Sequence, residues 1–191
     1  MKNAKIAVVI VICVGLILGG YWFLVNKNST KTEENVDLTE VQEIITKDLE
    51  KNYPATPREV IKLYNRIITC FYNEQYSENE LYDLGDQARL LFDDELLENN
   101  PRDDYFKSLK QDIEDYKDKE KTIASSAVDS SNDVEYKTVD GDECAYVKAS
   151  YFIKEGSSYS RTYQMYVLRK DADGNWKILV FYQVDGNSSD E

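Results

Sequence analysis

The sequence has no histidine, three cysteines, three prolines and no cluster of basic residues anywhere along it. Without histidine it lacks the side chain most used for proton transfer near neutral pH and the commonest zinc ligand. The cysteines form no C-x-x-C pair and no metal-ligand spacing, and Cys13 lies inside an apolar run. Only Cys70 and Cys144 are left to pair, and their expected places, beside a helix stripe and on the opposite strand face, oppose a disulfide. No G-x-S-x-G, phosphate loop or dinucleotide fingerprint occurs, so no catalytic constellation is legible and no cofactor is expected. Acid dominates what charge there is. The formal net charge is -13, and setting aside Lys2, Lys5, Lys27 and Lys31 leaves -17 for everything after residue 31. Such a field repels phosphate backbones, which excludes nucleic acid as a partner.

Against these absences stands one long hydrophobic run. Ile6 to Val25 contains twenty residues without a charge, and at about 1.5 Å per residue it matches the roughly 30 Å hydrocarbon layer. No small-x-small cleavage site follows it, so the expectation is an uncleaved transmembrane anchor. Lys2 and Lys5 precede the run and Tyr21 and Trp22 mark its far end, which predicts a cytoplasmic N-terminus and an extracellular C-terminal domain in a single-pass protein of the cell membrane. Gly15 and Gly19 form a G-x-x-x-G of the kind that lets two membrane helices approach, making a homodimer a candidate assembly. The expected organisation is a stub and anchor over 1–25, a flexible tether over 26–37, one domain over 38–184 and a tail over 185–191.

Within the domain the hydrophobic period is helical first. Thr39 with Gln42 reads as a capping box before Val41, Ile44, Ile45 and Leu49, a helix expected to run to Tyr53-Pro54. Thr56, Pro57 and Glu59 open the strongest helix, with Val60, Leu63, Tyr64, Ile67, Ile68 and Phe71 on one face. Ser77 and Glu80 cap a third helix carrying Leu81, Leu84, Ala88 and Leu91, and Asn100-Pro101 opens a fourth with Tyr105, Leu109, Ile113 and Tyr116. After about Lys121 the period becomes two. Val134 and Tyr136 lead into Asp140-Gly141, a favoured hairpin turn, and Ala145, Val147, Ala149, Tyr151 and Ile153 alternate beyond it. Tyr163, Met165 and Val167 mark the next strand, and Asp171 to Asn175 turn the chain into Trp176, Ile178, Val180 and Tyr182. Helices followed by consecutive hairpins predict an α+β domain with helices on one face of an antiparallel sheet.

The segment YPATPREVIKLYNRIITCFYNE from Tyr53 to Glu74, RLLFDDELLENNP from Arg89 to Pro101 and the ending LRKDADGNWKILVFYQ resemble an uncharacterised family of membrane-anchored extracytoplasmic domains from low-GC Gram-positive bacteria. That family is similar in turn to the nuclear-transport-factor-2-like, or cystatin-like, fold. The resemblance spans residues 39 to 184 and implies a curved sheet and a location outside the cytoplasm. It brings no catalytic residues to carry over.

Members of that fold often hold a pocket between sheet and helices. Tyr151, Tyr163 and Tyr182 are expected on the inward face, where a phenol lines a pocket or packs with its hydroxyl satisfied. Arg161, beside Tyr163, is a strand cation that either meets an anionic ligand or stands at the rim in water, the latter being the favoured assignment. Asp171, Asp173 and Asn175 imitate the start of a calcium loop, but Trp176 replaces the required glycine and Tyr182 the bidentate glutamate, so the stretch reads as a turn. The clusters Asp93, Asp94 and Glu95, and Asp112, Glu114, Asp115 and Asp118, read as solvated faces. The functional expectation is a non-enzymatic binding or interaction module. The alternatives are a pocketed lyase or isomerase using a carboxylate and tyrosine, and an accessory subunit of a membrane assembly.

Overall fold

A computed structural model of the chain describes residues 38–186. The expected anchor with Gly15 and Gly19, the tether and the end of the tail from 187 lie outside the described residues. Among the described residues no helix is long and apolar enough to cross a membrane. The described residues fall within one unit that begins at Leu38. Their order is α1 (Glu40–Ile45), α2 (Pro57–Asn73), α3 (Glu78–Arg89), α4 (Asp94–Asn99), α5 (Arg102–Asp118), β1 (Lys121–Val128), β2 (Glu135–Val139), β3 (Asp142–Glu155), β4 (Ser158–Lys170) and β5 (Trp176–Val184).

The helix starts follow their side-chain signals. Thr39 and Ser77 accept the amides of Gln42 and Glu80, whose side chains bond back to the cap amides, closing two orphan donors at each end. At Thr56 the hydroxyl accepts the Glu59 amide at 3.2 Å, with Pro57 in the first turn. The first helix is shorter than its apolar pattern predicts. Thr46 turns its hydroxyl onto the Gln42 carbonyl at 2.6 Å and Asp48 accepts the Lys51 amide at 3.2 Å, local bonds that compete with helix continuation. Leu49 is nonetheless buried.

All five strands are antiparallel. β3 is the long central strand: β4 pairs one edge, and β1 and β2 pair successive halves of the other, with β5 beyond β4. β1 and β2 are thus one edge strand interrupted between residues 129 and 134. The β2–β3 hairpin turns at Asp140 (φ 52) and Gly141 (φ 101), both in the left-handed region that a two-residue primed turn requires. β1 escapes the sequence pattern because only Ile123 of its eight residues is buried. Its middle, Ala124 to Ala127, is small and exposed, so it presents no alternation.

The core lies between one face of the sheet and the helices. Ala145, Val147 and Ala149 of β3, Tyr166 and Leu168 of β4 and Ile178 of β5 are fully buried against Val60, Ile61, Ile67 and Cys70 of α2 and Leu84 and Ala88 of α3. Small residues at 145 and 149 let α2 sit close, while the larger helix side chains fill the space. Each sheet edge is tied at one point. Asn73 donates to the Ile123 carbonyl at 2.8 Å and accepts its amide at 2.9 Å. Beyond β5, Ile178 donates to Leu91 and accepts from Asp93, so residues 91 to 93 lie along the edge as a short parallel bridge. Such contacts blunt the edges locally, at Ile123 and Ile178.

Candidate functional site

Where α2 and α5 diverge above the far end of the sheet, a cavity of about 320 Å³ remains. α2 contributes Tyr64, Ile68, Phe71 and Tyr72 to it, residues four, seven and eight apart and hence on one helical face. α5 supplies Tyr105, Ser108, Leu109, Asp112 and Tyr116 at offsets of three, four, seven and eleven. The sheet floor is Ile123 of β1, Tyr151 and Ile153 of β3, Thr162, Gln164 and Tyr166 of β4 and Phe181 of β5. Their register makes this a single face, since Tyr151 pairs Thr162 and Tyr166 pairs Phe181. Asp112 and Phe181 are exposed and so stand where the cavity meets solvent. Tyr72 and Tyr116 stack at 3.9 Å between centroids, joining the two helices beside them.

The floor carries a chain of hydrogen bonds. The Tyr151 hydroxyl lies 2.5 Å from Asn65 Oδ1 and 2.6 Å from the Tyr166 hydroxyl, which lies 2.9 Å from Gln164 Oε1. Two hydroxyl protons cannot serve three contacts that end on acceptors. One terminal amide must therefore present its NH2 group, and the chain runs from Gln164 to Asn65 or the reverse. In either direction one amide atom of Asn65, a residue only 3% exposed, has no partner. Asn65 also lines a second, shallower hollow between α2 and β1, with Thr69, Cys70, Ser126 and Val128 and with Arg58 and Lys62 at its side.

Burial sets the electrostatics. Desolvation holds the phenols of Tyr64, Tyr72, Tyr105, Tyr151 and Tyr166 above the ordinary tyrosine range, so at neutral pH they are uncharged and act as donors and acceptors. Asp112 is shifted the same way, first by burial and then by the neighbouring Asp115. Its charge in turn helps to raise Tyr72 and Tyr116. No lysine or arginine lines this cavity.

Of the four ligand-binding candidates, Tyr151, Arg161, Tyr163 and Tyr182, only Tyr151 lines the cavity. Tyr163 pairs Ser150 and Tyr182 pairs Met165, which puts both on the outer face, where Tyr182 is 47% exposed. This corrects the inward placement, and the physical reason is that β4 is apolar in both phases. Tyr163, Met165 and Val167 alternate as convincingly as Tyr166 and Leu168, and a bulge follows Val167. Arg161 is also outward and exposed, its guanidinium 5.8 Å from the Phe152 ring.

One acid read as solvated is not: Asp93 is 5% exposed, bound by Arg169 through Nη2 at 2.5 Å and Nε at 3.0 Å while accepting the Glu95 amide as the cap of α4. Asp112 is exposed, as read, but stands at the mouth of the cavity. Around Asp171 the turn reading holds: Oδ1 accepts the amides of Asp173 and Asn175 at 3.0 and 2.8 Å. Among the described residues no group of acids and cysteines converges to hold a metal ion, and Cys70 and Cys144 are both free and buried. The missed residues, Tyr64, Tyr72, Tyr105, Asp112 and Tyr116, left one signal. Tyrosine and a carboxylate recur at helical spacing on the inner side of two helices, where leucine would make a plainer core.

A model of the family described as Domain of unknown function (DUF6715) matches residues 1–181. No curated protein matches the chain.

Proposed function

Because the chain belongs to the DUF6715 family, whose description assigns no activity, its role has to come from its own site, and we propose a membrane-anchored extracytoplasmic binding module. In this reading Ile6 to Val25 hold it in the cell membrane with the N-terminus inside. A nuclear-transport-factor-2-like domain outside receives a small ligand without transforming it. The observation that carries the binding role is the tyrosine-lined cavity between α2, α5 and the sheet. Its polar groups are neutral phenols, the hydroxyls of Ser108 and Thr162, the Gln164 amide and the single carboxylate of Asp112 at the opening, a set suited to orienting a guest. The uncharged twenty-residue run supports the anchor. The resemblance of the Tyr53–Glu74 and Arg89–Pro101 segments supports the fold relationship.

Ligand-observed NMR with a library of small fragments on the full-length chain tests the binding role. Fragments should bind the native protein and lose binding when Ser108→Phe fills the cavity from α5. Equal binding to both would refute this site. Protease added to intact cells should trim the C-terminal domain, and protection of that domain would refute the topology.

A second reading, a lyase or isomerase, is favoured by one specific feature: a carboxylate on the cavity wall beside tyrosines, held toward its protonated form. Such a group is poised for acid–base work. If turnover of a bound fragment were found, Asp112→Asn should abolish it while leaving binding intact. A rate unchanged by Asp112→Asn would eliminate that mechanism.

A further inference from the structure

We infer that the cavity takes a compact organic cation, a quaternary ammonium or a protonated amine with small apolar substituents. This deepens the binding role proposed above and rests on it. Half of the sixteen lining side chains are aromatic, and the one charged group among them is the carboxylate of Asp112. An aromatic wall attracts a cation through the negative faces of its rings, and the attraction strengthens as water is excluded. A single carboxylate at the opening then fixes where the charge sits.

The other ligand classes fit worse. An anion would enter a cavity without one cationic lining residue, in a chain with -17 beyond residue 31. A wholly apolar guest would strip water from Asp112, Thr162 and Gln164 and return no polar partner. The size is also restrictive, because about 320 Å³ lies at the lower end of small-molecule pockets.

The rings of this site already serve cations of the protein itself. Arg89 lies 5.4 Å from the Tyr105 centroid and Lys121 lies 6.0 Å from that of Tyr116. Neither lines the cavity. Lys121 is held by Glu155 at 3.4 Å, and Arg89 donates to the Asn100 carbonyl at 2.7 Å. Both therefore stay fixed on the helix and strand flanks and leave the interior without a resident positive charge. The acidic surface adds a long-range pull that concentrates cations near the opening.

The test compares choline with its uncharged analogue, in which carbon replaces nitrogen, by calorimetric titration of the full-length chain. Choline should bind about tenfold more tightly than the analogue, the scale set by desolvated cation–π contact and one carboxylate. Asp112→Asn should remove most of that preference while leaving the analogue's affinity unchanged. Phe181→Leu, at a position 40% exposed, should weaken choline more than the analogue because apolar volume is kept and the ring is lost. Equal affinities for the two probes, no binding of choline, or a preference that survives both substitutions would each overturn the inference. In all three cases the fragment experiment still decides separately whether the cavity binds anything.

Discussion

Replacing Gly85 by alanine sets two well-defined effects against each other. Gly85 lies in the interior of α3, between the fully buried Leu84 and Ala88, and in an unconstrained helix the change would stabilise by about 1 kcal/mol. Here the added Cβ would fall on the Phe106 ring of α5, overlapping Cε1 and reaching Cζ at 2.5 Å and Cδ1 at 3.4 Å. The ring has no room to yield. Tyr82 meets it edge-on at 4.8 Å, Tyr105 at 5.2 Å, and the Arg102 guanidinium lies 4.7 Å from its centroid. The helices must then separate, which costs about 1–3 kcal/mol of strain and re-exposes part of a side chain whose burial is worth about 2–3 kcal/mol.

The clash wins by about 2 kcal/mol, equivalent to a fall in Tm of about 4–8 °C for a domain of this size. Urea denaturation followed by circular dichroism should show a lower midpoint with an unchanged slope. Phe106→Leu should cost less in the Gly85→Ala background than in the native one, because the two changes share a contact. A Gly85→Ala protein as stable as the native one, or more so, would refute the close α3–α5 approach. The consequence reaches the site, since Tyr105 and Leu109 on the same helix line the cavity and move with Phe106.

Asp93→Asn should destabilise the domain by about 2–3 kcal/mol in the same assay, less than a fully buried pair loses, because Arg169 keeps Glu95 at 3.4 Å and Asp142 at 3.6 Å. Asp93→Ala should cost about 1 kcal/mol more, since asparagine can still cap α4 and alanine cannot. For Asp112 the folded carboxyl titrates above its ordinary value. The protonated form is therefore favoured by folding, and the stability it contributes is present below the unfolded carboxylate pKa and lost as pH rises through the raised folded value. Asp112→Asn should flatten the urea midpoint over that pH range, and identical pH profiles would contradict the placement. Cys70 is fully buried and its thiol is pushed up to about 12, chiefly by burial and then by Glu40 and Glu74. A thiol reagent at neutral pH should modify Cys70 only at the rate of unfolding, as read by peptide mass mapping, and immediate labelling would contradict its burial.

What could be read from the sequence was local. Thr39, Thr56 and Ser77 start helices because each satisfies backbone amides within three residues, and Asp140-Gly141 turns because those two residues tolerate positive φ. The order of helices before hairpins was sufficient for the α+β class. The site was not legible because it depends on phase and on where helices part. β4 offers apolar residues to both faces, so its inward side is set by pairing Tyr151 with Thr162 rather than by alternation. Asp93 and Asp112 carry the same local signature as their solvated neighbours, and only the positions of Arg169 and of the cavity distinguish them. The short helix α4 buries no residue of its own, which leaves no periodic trace.

The cavity stays open for the same reason that its floor is polar. A buried phenol must keep its hydroxyl bonded, so Tyr151 and Tyr166 are tied to Asn65 and Gln164 and cannot swing inward to fill the space. Leucines at those positions would be free to repack. α5 offers little to close the gap either, because Phe106, Leu109 and Ile113 are its only buried residues, while Tyr105 and Tyr116 remain half-buried toward the void. Apolar replacement of the Tyr151–Tyr166 chain would remove a buried network that leaves one amide atom of Asn65 without a partner, a costly arrangement, and would let the core contract. A fold selected for stability alone would gain from that exchange. Four polar side chains beneath an open, phenol-lined space are therefore what supports the proposed binding role.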